Sequence, residues 1–408
     1  MLFKDVIGQS EVKHHLADMV QQNRLSHALL FLAKEGSGGL PLALAFTQYL
    51  VCQKTSPKST ANASEINLLD FNEPASNPPP PGEVGRGLDA CGICAACTKA
   101  SQLVHPDIHY SYPVIPKKSG DKPKSTDYIS EWREFVKQNA YSNAYDWLQF
   151  IGAENKQGNI TAEECSDIIR QLSLKSFESE YKILLMWMPE YLGKEGNKLL
   201  KLIEEPPANT LFILVAQSEE QILPTILSRT QLVKIPRLTD EEIEKALVER
   251  NNTPHEQAKS VAGIAEGNYR EALQLLQHAE EDWLSLLREW MNVTMKENFA
   301  GQVKWVEEVS KLGREKQKQF LRYFNHLLEQ CIRLRILGTA NSGLADNEKD
   351  FAARLNKISS VTQQQAVITQ LDQAAYYIER NANGKMLFHA LTIKILHIIK
   401  DKVVMSAV

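Results

Sequence analysis

Ala28-Leu29-Leu30-Phe31-Leu32-Ala33-Lys34-Glu35-Gly36-Ser37-Gly38-Gly39-Leu40-Pro41-Leu42-Ala43-Leu44 is the stretch that decides how this chain folds. Ala28 to Ala33 is an unbroken apolar run of strand length, Lys34 to Gly39 is a glycine-rich turn, and Pro41 onward reads as a helix to Cys52. Strand, glycine turn and helix in this order resemble a phosphate-binding loop. There, backbone amides wrap phosphate, a lysine neutralises it and a hydroxyl helps hold magnesium. The pattern for that chemistry is GxxxxGK[ST]. In that register Gly39 stands where the lysine belongs and Leu40 where the hydroxyl belongs. Glu35 adds a negative charge beside the place a phosphate would take. Gly36, Gly38 and Gly39 therefore read as a degenerate phosphate loop, a turn joining strand to helix, and ATP binding is not expected.

A second position makes the same point. In ATPases with this loop, a later strand ends in an acid that holds magnesium, and a neighbouring glutamate activates water. The apolar run Tyr181–Met188 ends Met186-Trp187-Met188-Pro189, with no acid at either place. Two losses at one site predict no intrinsic ATPase.

Around these segments, further apolar runs at His27–Ala33, Asp107–Val114, Leu211–Ala216 and Gln231–Ile235 alternate with helical patterns at Glu11–Gln22, Thr161–Leu172 and Gly196–Glu205. That alternation predicts an α/β domain with a parallel sheet over residues 1–236. Thr161 to Glu164, Thr239 to Glu242 and Asn268 to Glu271 carry the polar residue and the glutamate three positions later that open a helix. Strands stop after Pro236. A small helical domain is expected at 237–281 and a helical C-terminal domain at 282–408. Its apolar stripes are Phe320, Phe324, Leu327, Leu328, Cys331 and Ile332, then Leu387, Leu391, Ile395 and Ile398. Lys54–Asp89, with four consecutive prolines at Pro78–Pro81, reads as an insertion without a core.

The chain has 408 residues and a formal charge of −4. Two or three domains follow from the length. The acidic balance argues against a protein that grips nucleic acid by itself. No charged leader precedes an apolar core at Met1–Asp5, and no apolar run is long enough to cross a bilayer, so a cytoplasmic location without membrane contact is expected. Six cysteines in that compartment suggest thiols or metal ligands. Cys91-x-x-Cys94-x-x-Cys97 places three thiols on one tight segment, and Cys52 closes the helix before the insertion. Four sulfurs suit a structural zinc ion in a module spanning 52–97. Cys165 and Cys331 lie on apolar helical faces and read as core.

Several segments together carry a family resemblance. Phe3-Lys4-Asp5-Val6-Ile7-Gly8-Gln9 and Leu25-Ser26-His27-Ala28-Leu29-Leu30-Phe31 resemble the N-terminus of AAA+ clamp-loader subunits. Asn197-Lys198-Leu199-Leu200-Lys201-Leu202-Ile203-Glu204-Glu205-Pro206-Pro207 is similar to that family's NALLKTLEEPP helix. Leu223 to Gln231 resembles its LLPTIxSRCQ segment, with Thr230 in place of cysteine. Gly267-Asn268-Tyr269-Arg270 falls where the family carries its second sensor. The match runs in order from about Asp5 to Gln277. Beyond that, only helical character is shared.

The resemblance implies a RecA-like AAA+ sheet, a helical lid and a helical collar used for assembly. Within the family, gamma/tau subunits keep the lysine and the acids. Delta-prime subunits are commonly degenerate at both and lend an arginine to a neighbour's ATP. This sequence resembles the second type. Arg229 is then the trans-acting arginine finger, Arg270 the second-sensor position, and gamma/tau subunits, a delta subunit, the sliding clamp and primed DNA the implied partners. The family's zinc module has a much shorter separation after its first cysteine, which leaves Cys52 as the ligand most in need of a structural test. Two other readings remain open here, an active gamma/tau-like ATPase and a zinc-containing DNA-binding protein.

Overall fold

The computed structural model describes residues 1–55, 88–118, 120–153, 158–277, 283–337, 346–379 and 382–402. Residues 56–87, most of the proline-rich insertion, lie outside this set. Two compact units divide the chain: Met1–Ile243 with Gly267–Arg270, and Glu244–Glu266 with Glu271–Val408.

The first unit is built on five parallel strands, β1 (Ala28–Ala33), β2 (Ile108–Ser111), β3 (Lys182–Trp187), β4 (Thr210–Ala216) and β5 (Gln231–Ile235), in the order β2-β3-β4-β1-β5. Each apolar run named from sequence becomes a strand: the first three are trimmed at their ends, the fourth gains Thr210, and the fifth keeps its bounds. β3 and β4 are buried along their whole length, as strands covered on both faces must be. Alternate side chains serve two apolar layers. Leu29, Phe31, Leu185, Trp187, Ile213 and Val215 pack with α1 (Ser10–Gln21) and α2 (Gly39–Val51). Leu30, Leu184, Met186, Phe212 and Leu214 pack with α6 (Ala162–Ser173). Every residue of α2 is buried, and each fully buried Leu or Phe side chain contributes about 1.5–3 kcal/mol relative to exposure.

Caps fix the helix starts where the polar pattern placed them. Thr161 Oγ1 accepts the Glu164 N–H at 3.1 Å. Thr239 and Glu242 cap each other reciprocally, at 2.9 and 3.2 Å. Three helices have no counterpart in the sequence reading: α3 (Ala95–Ser101), α4 (Ile129–Asn139) and α5 (Ala144–Phe150). The last two carry Trp132 and Trp147, both fully buried, whose rings meet edge to face at 5.3 Å. The expected helix at Gly196–Glu205 is instead 3-10 turns over Pro189–Leu199 followed by the short α7 (Leu200–Glu204). Gly193 interrupts that stretch with φ 51° and ψ −137°. The short α8 (Pro224–Leu227) precedes β5.

The second unit is helical throughout its described residues. It contains α10 (His255–Ala265), α12 (Trp283–Met295), α13 (Phe299–Lys311), α14 (Arg314–Leu337), α15 (Asp346–Ile358), α16 (Val361–Glu379) and α17 (Gly384–Ile399). Between the units' bounds run α9 (Asp240–Asn251) and α11 (Tyr269–Gln277). Phe320, Phe324, Leu327, Leu328 and Cys331 are buried, as are Leu391, Ile395 and Ile398, while Ile332 and Leu387 are only partly covered. Trp290 and Trp305 stack at 4.6 Å in the centre of this bundle.

Candidate functional site

The glycine turn lies at the carboxyl end of β1, between β4 and β5, where open parallel sheets place their ligands. Here the place is filled by protein. At Gly39, α2 approaches β1 so closely that a Cβ would lie 2.5 Å from the Ala33 Cβ. The Tyr141 hydroxyl accepts the Ile7 N–H at 2.8 Å. Its ring lies over Gly38 and meets Tyr269 edge to face at 5.0 Å. The remaining cavity, lined by Lys34, Gly36, Gly38, Gly39, Tyr141, Trp187 and Met188 among others, is about 30 Å³. That is room for one or two waters, not for a chain of phosphates.

The end of β3 is closed as well. Trp187 is buried in an aromatic cluster, with its ring 5.3 Å from that of Trp132. Met188 takes a left-handed conformation and donates its N–H to Val215 O at 2.9 Å. An acid not singled out from sequence, Glu190, sits just beyond. Its Oε1 accepts the N–H groups of Gln217 (2.5 Å) and Ser218 (3.0 Å). Burial pushes its carboxyl pKa up although these backbone N–H groups pull it down, and the residue caps the backbone after β4. It borders a separate polar cleft of about 620 Å³ with Asn159, Gly193 and Gln221.

Arg270 is 2 % exposed and makes a bidentate pair with Asp146, Nε to Oδ2 at 2.5 Å and Nη2 to Oδ1 at 2.7 Å. Its Nη1 donates to Glu35 Oε1 at 3.0 Å. Arg270 thus faces the glycine turn, with its donors taken by carboxylates. Asp146 lies on α5, within a segment to which no role was assigned. Only the fold brings it here.

The four cysteines converge. The sulfurs of Cys52, Cys91, Cys94 and Cys97 all lie within 4.8 Å of one another, so the residues that could hold a metal ion include Cys52 despite the long insertion before Cys91. Cys52 Sγ accepts the Cys91 N–H at 3.3 Å, and Cys94 Sγ caps α3 by accepting the Cys97 N–H at 3.4 Å. A hydrogen bond from the Cys97 thiol and the Cys91 amide pull the Cys52 thiol down, toward the thiolate a metal requires. Cys165 and Cys331 behave as core thiols, and burial pushes them up to about 11 and about 12.

Arg229 follows α8 and precedes β5, on the surface, with its side chain 33 % exposed. Its guanidinium folds back on the chain. Nε donates to Glu204 Oε1 at 2.6 Å, and Nη1 to Thr225 O at 2.8 Å and Ser228 Oγ at 3.1 Å. Asp107 accepts the N–H groups of Phe177, Glu178 and Ser179 at 2.5–2.8 Å.

A parallel sheet with β1 between β4 and β5, a glycine turn opening a buried helix, and an arginine reaching that turn make up an AAA+ fold. The chain belongs to the family described as DNA polymerase III, delta subunit, which matches residues 8–73 and 83–239. It is 23 % identical over 273 residues to DNA polymerase III subunit delta′ of Bacillus subtilis, covering 67 % of this chain and 60 % of that protein. It is 22 % identical over 308 residues to subunit delta′ of Haemophilus influenzae, covering 72 % of each. It is also 27 % identical over 283 residues to subunit gamma of Buchnera aphidicola, covering 68 % of this chain and 58 % of that protein. The chain therefore spans about 60 % of the length of the first of these relatives. A solved gamma subunit-related protein from Thermotoga maritima aligns with a TM-score of 0.36 and 14 % identity, covering 93 % of this chain and 98 % of that one. Among the described residues, no helix is long and apolar enough to cross a membrane.

Proposed function

We propose that this chain is a delta-prime-like clamp-loader subunit that hydrolyses no ATP and completes a neighbouring gamma/tau-type subunit's ATP site with Arg229. The observation that carries the reading is the glycine-turn pocket, closed by the approach of Gly39 to Ala33, capped by Tyr141 and reduced to about 30 Å³. Gly39 and Leu40 replace the phosphate-loop lysine and hydroxyl, and Trp187 and Met188 stand where the magnesium-holding acid would be, and each of those groups is needed for phosphoryl transfer. An active gamma/tau-like enzyme would need a lysine where Gly39 leaves no room for even a Cβ.

In this reading the chain works in the cytoplasm with gamma/tau and delta subunits, the sliding clamp and primed DNA. Residues 1–236 form the α/β domain, 237–281 the lid and 282–408 the collar. Arg229 does its chemistry outside the chain. A guanidinium presents paired donors to the charge that develops on a terminal phosphate, and Arg229 can reach a neighbour by leaving a partly exposed pair with Glu204. Such a pair costs only about 0–1 kcal/mol to break.

Cys52, Cys91, Cys94 and Cys97 would hold one structural zinc. Tetrahedral Zn–S bonds of about 2.3 Å space sulfurs about 3.8 Å apart, and Cys91 Sγ lies 3.9 Å from Cys97 Sγ. The ion would staple the start of α3 to the end of α2. Asp89, within this module, accepts the N–H groups of Phe3 and Lys4 at 2.9 and 3.0 Å, so the staple would also steady the N-terminal turn. A zinc-dependent DNA-binding role gains no support from the acidic net charge of −4.

The test is reconstitution. The purified chain alone should release no phosphate from ATP with magnesium, yet should assemble with gamma/tau and delta subunits and support clamp loading. Hydrolysis by the isolated chain, or failure to join those subunits, would overturn the proposal.

A further inference from the structure

Three consecutive residues, Asn268, Tyr269 and Arg270, all bond to the glycine turn. Asn268 Nδ2 donates to Glu35 Oε1 at 3.4 Å, the Tyr269 N–H to Gly36 O at 3.2 Å, and Arg270 Nη1 to Glu35 Oε1 at 3.0 Å. The approach is so close that a Cβ at Gly36 would lie 1.8 Å from Asn268 Oδ1. Asp146 holds the other edge of the guanidinium. A carboxylate and a phosphate oxygen offer the same thing to an arginine, a delocalised negative charge accepting two parallel N–H bonds.

We propose that Glu35, supported by Asp146, is an internal substitute for a nucleotide phosphate, an anion built into the turn that keeps Gly267–Arg270 docked with no ligand bound. Glu35 projects from the phosphate loop itself, where a bound phosphate would be presented. Arg270 is enclosed, so its charge must be balanced within the protein. Tyr141 occupies the adjoining space, which leaves the arginine no exogenous anion to choose instead. Docking of this segment then becomes a constant property of the chain rather than a response to ATP.

The inference rests on the proposed function only in holding that ATP does not compete for Arg270, and the two can fail separately. The experiment uses the full chain and reads hydrogen exchange at the Tyr269 amide. In wild type, neither ATP with magnesium nor formate should change its protection. Glu35→Gly should speed exchange at that amide by tenfold or more, and formate, the smallest carboxylate, should restore protection where chloride does not. If Glu35→Gly does not fold, Glu35→Gln, which keeps shape and drops charge, supplies the same reading, with lost protection expected. Unchanged protection in the variant used, or a loss in Glu35→Gly that formate does not reverse, overturns the proposal. Protection of Tyr269 by ATP in wild type would count against the non-nucleotide reading, while formate rescue would still stand for the internal anion.

Discussion

Gly39 and Ala33 are so close that a Cβ built on the glycine would lie 2.5 Å from the alanine's and 3.3 Å from Val215 Cγ1. The lost lysine is therefore a packing feature as much as a chemical one, since α2 has settled onto β1 and β4. Gly39→Lys should destabilise the chain by about 1–3 kcal/mol, the usual cost of overfilling a packed interior. It should create no ATPase, because Trp187 and Met188 still supply no acid. Urea midpoints and phosphate release measure both. A variant as stable as wild type that turns over ATP would refute this account of the pocket.

The cysteine cluster gives a second test. Cys94→Ser removes one sulfur from the set while leaving a hydroxyl that can still cap α3. Zinc affinity should fall by at least about tenfold, as even changes beyond the ligand shell cost that much. Thermal stability should fall, and exchange at the Phe3 and Lys4 amides should rise, because Asp89 holds both from within the module. Cys52→Ser should behave alike, and a Cys52→Ser protein that keeps its full zinc content would remove Cys52 from the ligand set. Elemental analysis of each purified variant decides.

Much of this was legible in the sequence because it depends on local pattern. Continuous apolar runs made strands, and glycines without lysine marked the degenerate turn. Part of the remainder was also written locally. Trp132, Phe135 and Val136, spaced i, i+3 and i+4, carry the periodicity of α4. The roles of Tyr141, Asp146 and Glu190 had no such signature. Asp146 lies 124 positions from Arg270, and Tyr141 lies 134 from Ile7. Pairings of that kind come from how the segment between β2 and α6 folds across the sheet, not from any spacing. The convergence of Cys52 with Cys91, Cys94 and Cys97 across 39 positions was likewise open until the fold closed it.

His326 on α14 makes stability depend on pH. Burial first, and the Arg333 charge second, lower its pKa to about 4, from an ordinary value of about 6.5. Between those values the unfolded chain binds a proton that the folded chain refuses. This contribution is therefore complete above about pH 6.5 and is lost as pH falls toward 4. The loss amounts to at most about 3 kcal/mol. His326→Gln should flatten the acid limb over that window. Comparing the slopes of the two proteins cancels the acidic groups that titrate nearby. Parallel denaturation profiles from pH 7 to 4 would show that the imidazole titrates normally in the folded chain.

Arg229 is the residue on which the proposed function turns. It lies on the surface at the join of α8 and β5, and its visible bonds are to Glu204, Thr225 and Ser228 of the same chain. Those bonds are surface bonds, so Arg229→Ala should change stability by less than about 0.5 kcal/mol and leave assembly intact. Its effect should appear in the assembled complex. An arginine delivered in trans is worth on the order of a thousandfold or more at the site it serves, so ATP turnover and clamp loading should both fall, with unaffected sites retaining part of the total. Arg229→Lys should rescue poorly, since an ammonium cannot offer the planar paired donors of a guanidinium. Glu204→Gln separates the finger from its resting partner. It should preserve turnover, because Glu204 holds Arg229 only until a phosphate takes its place. If Arg229→Ala complexes assemble, hydrolyse ATP and load clamps at the wild-type rate, the pair with Glu204 is an ordinary surface contact and the trans role is lost.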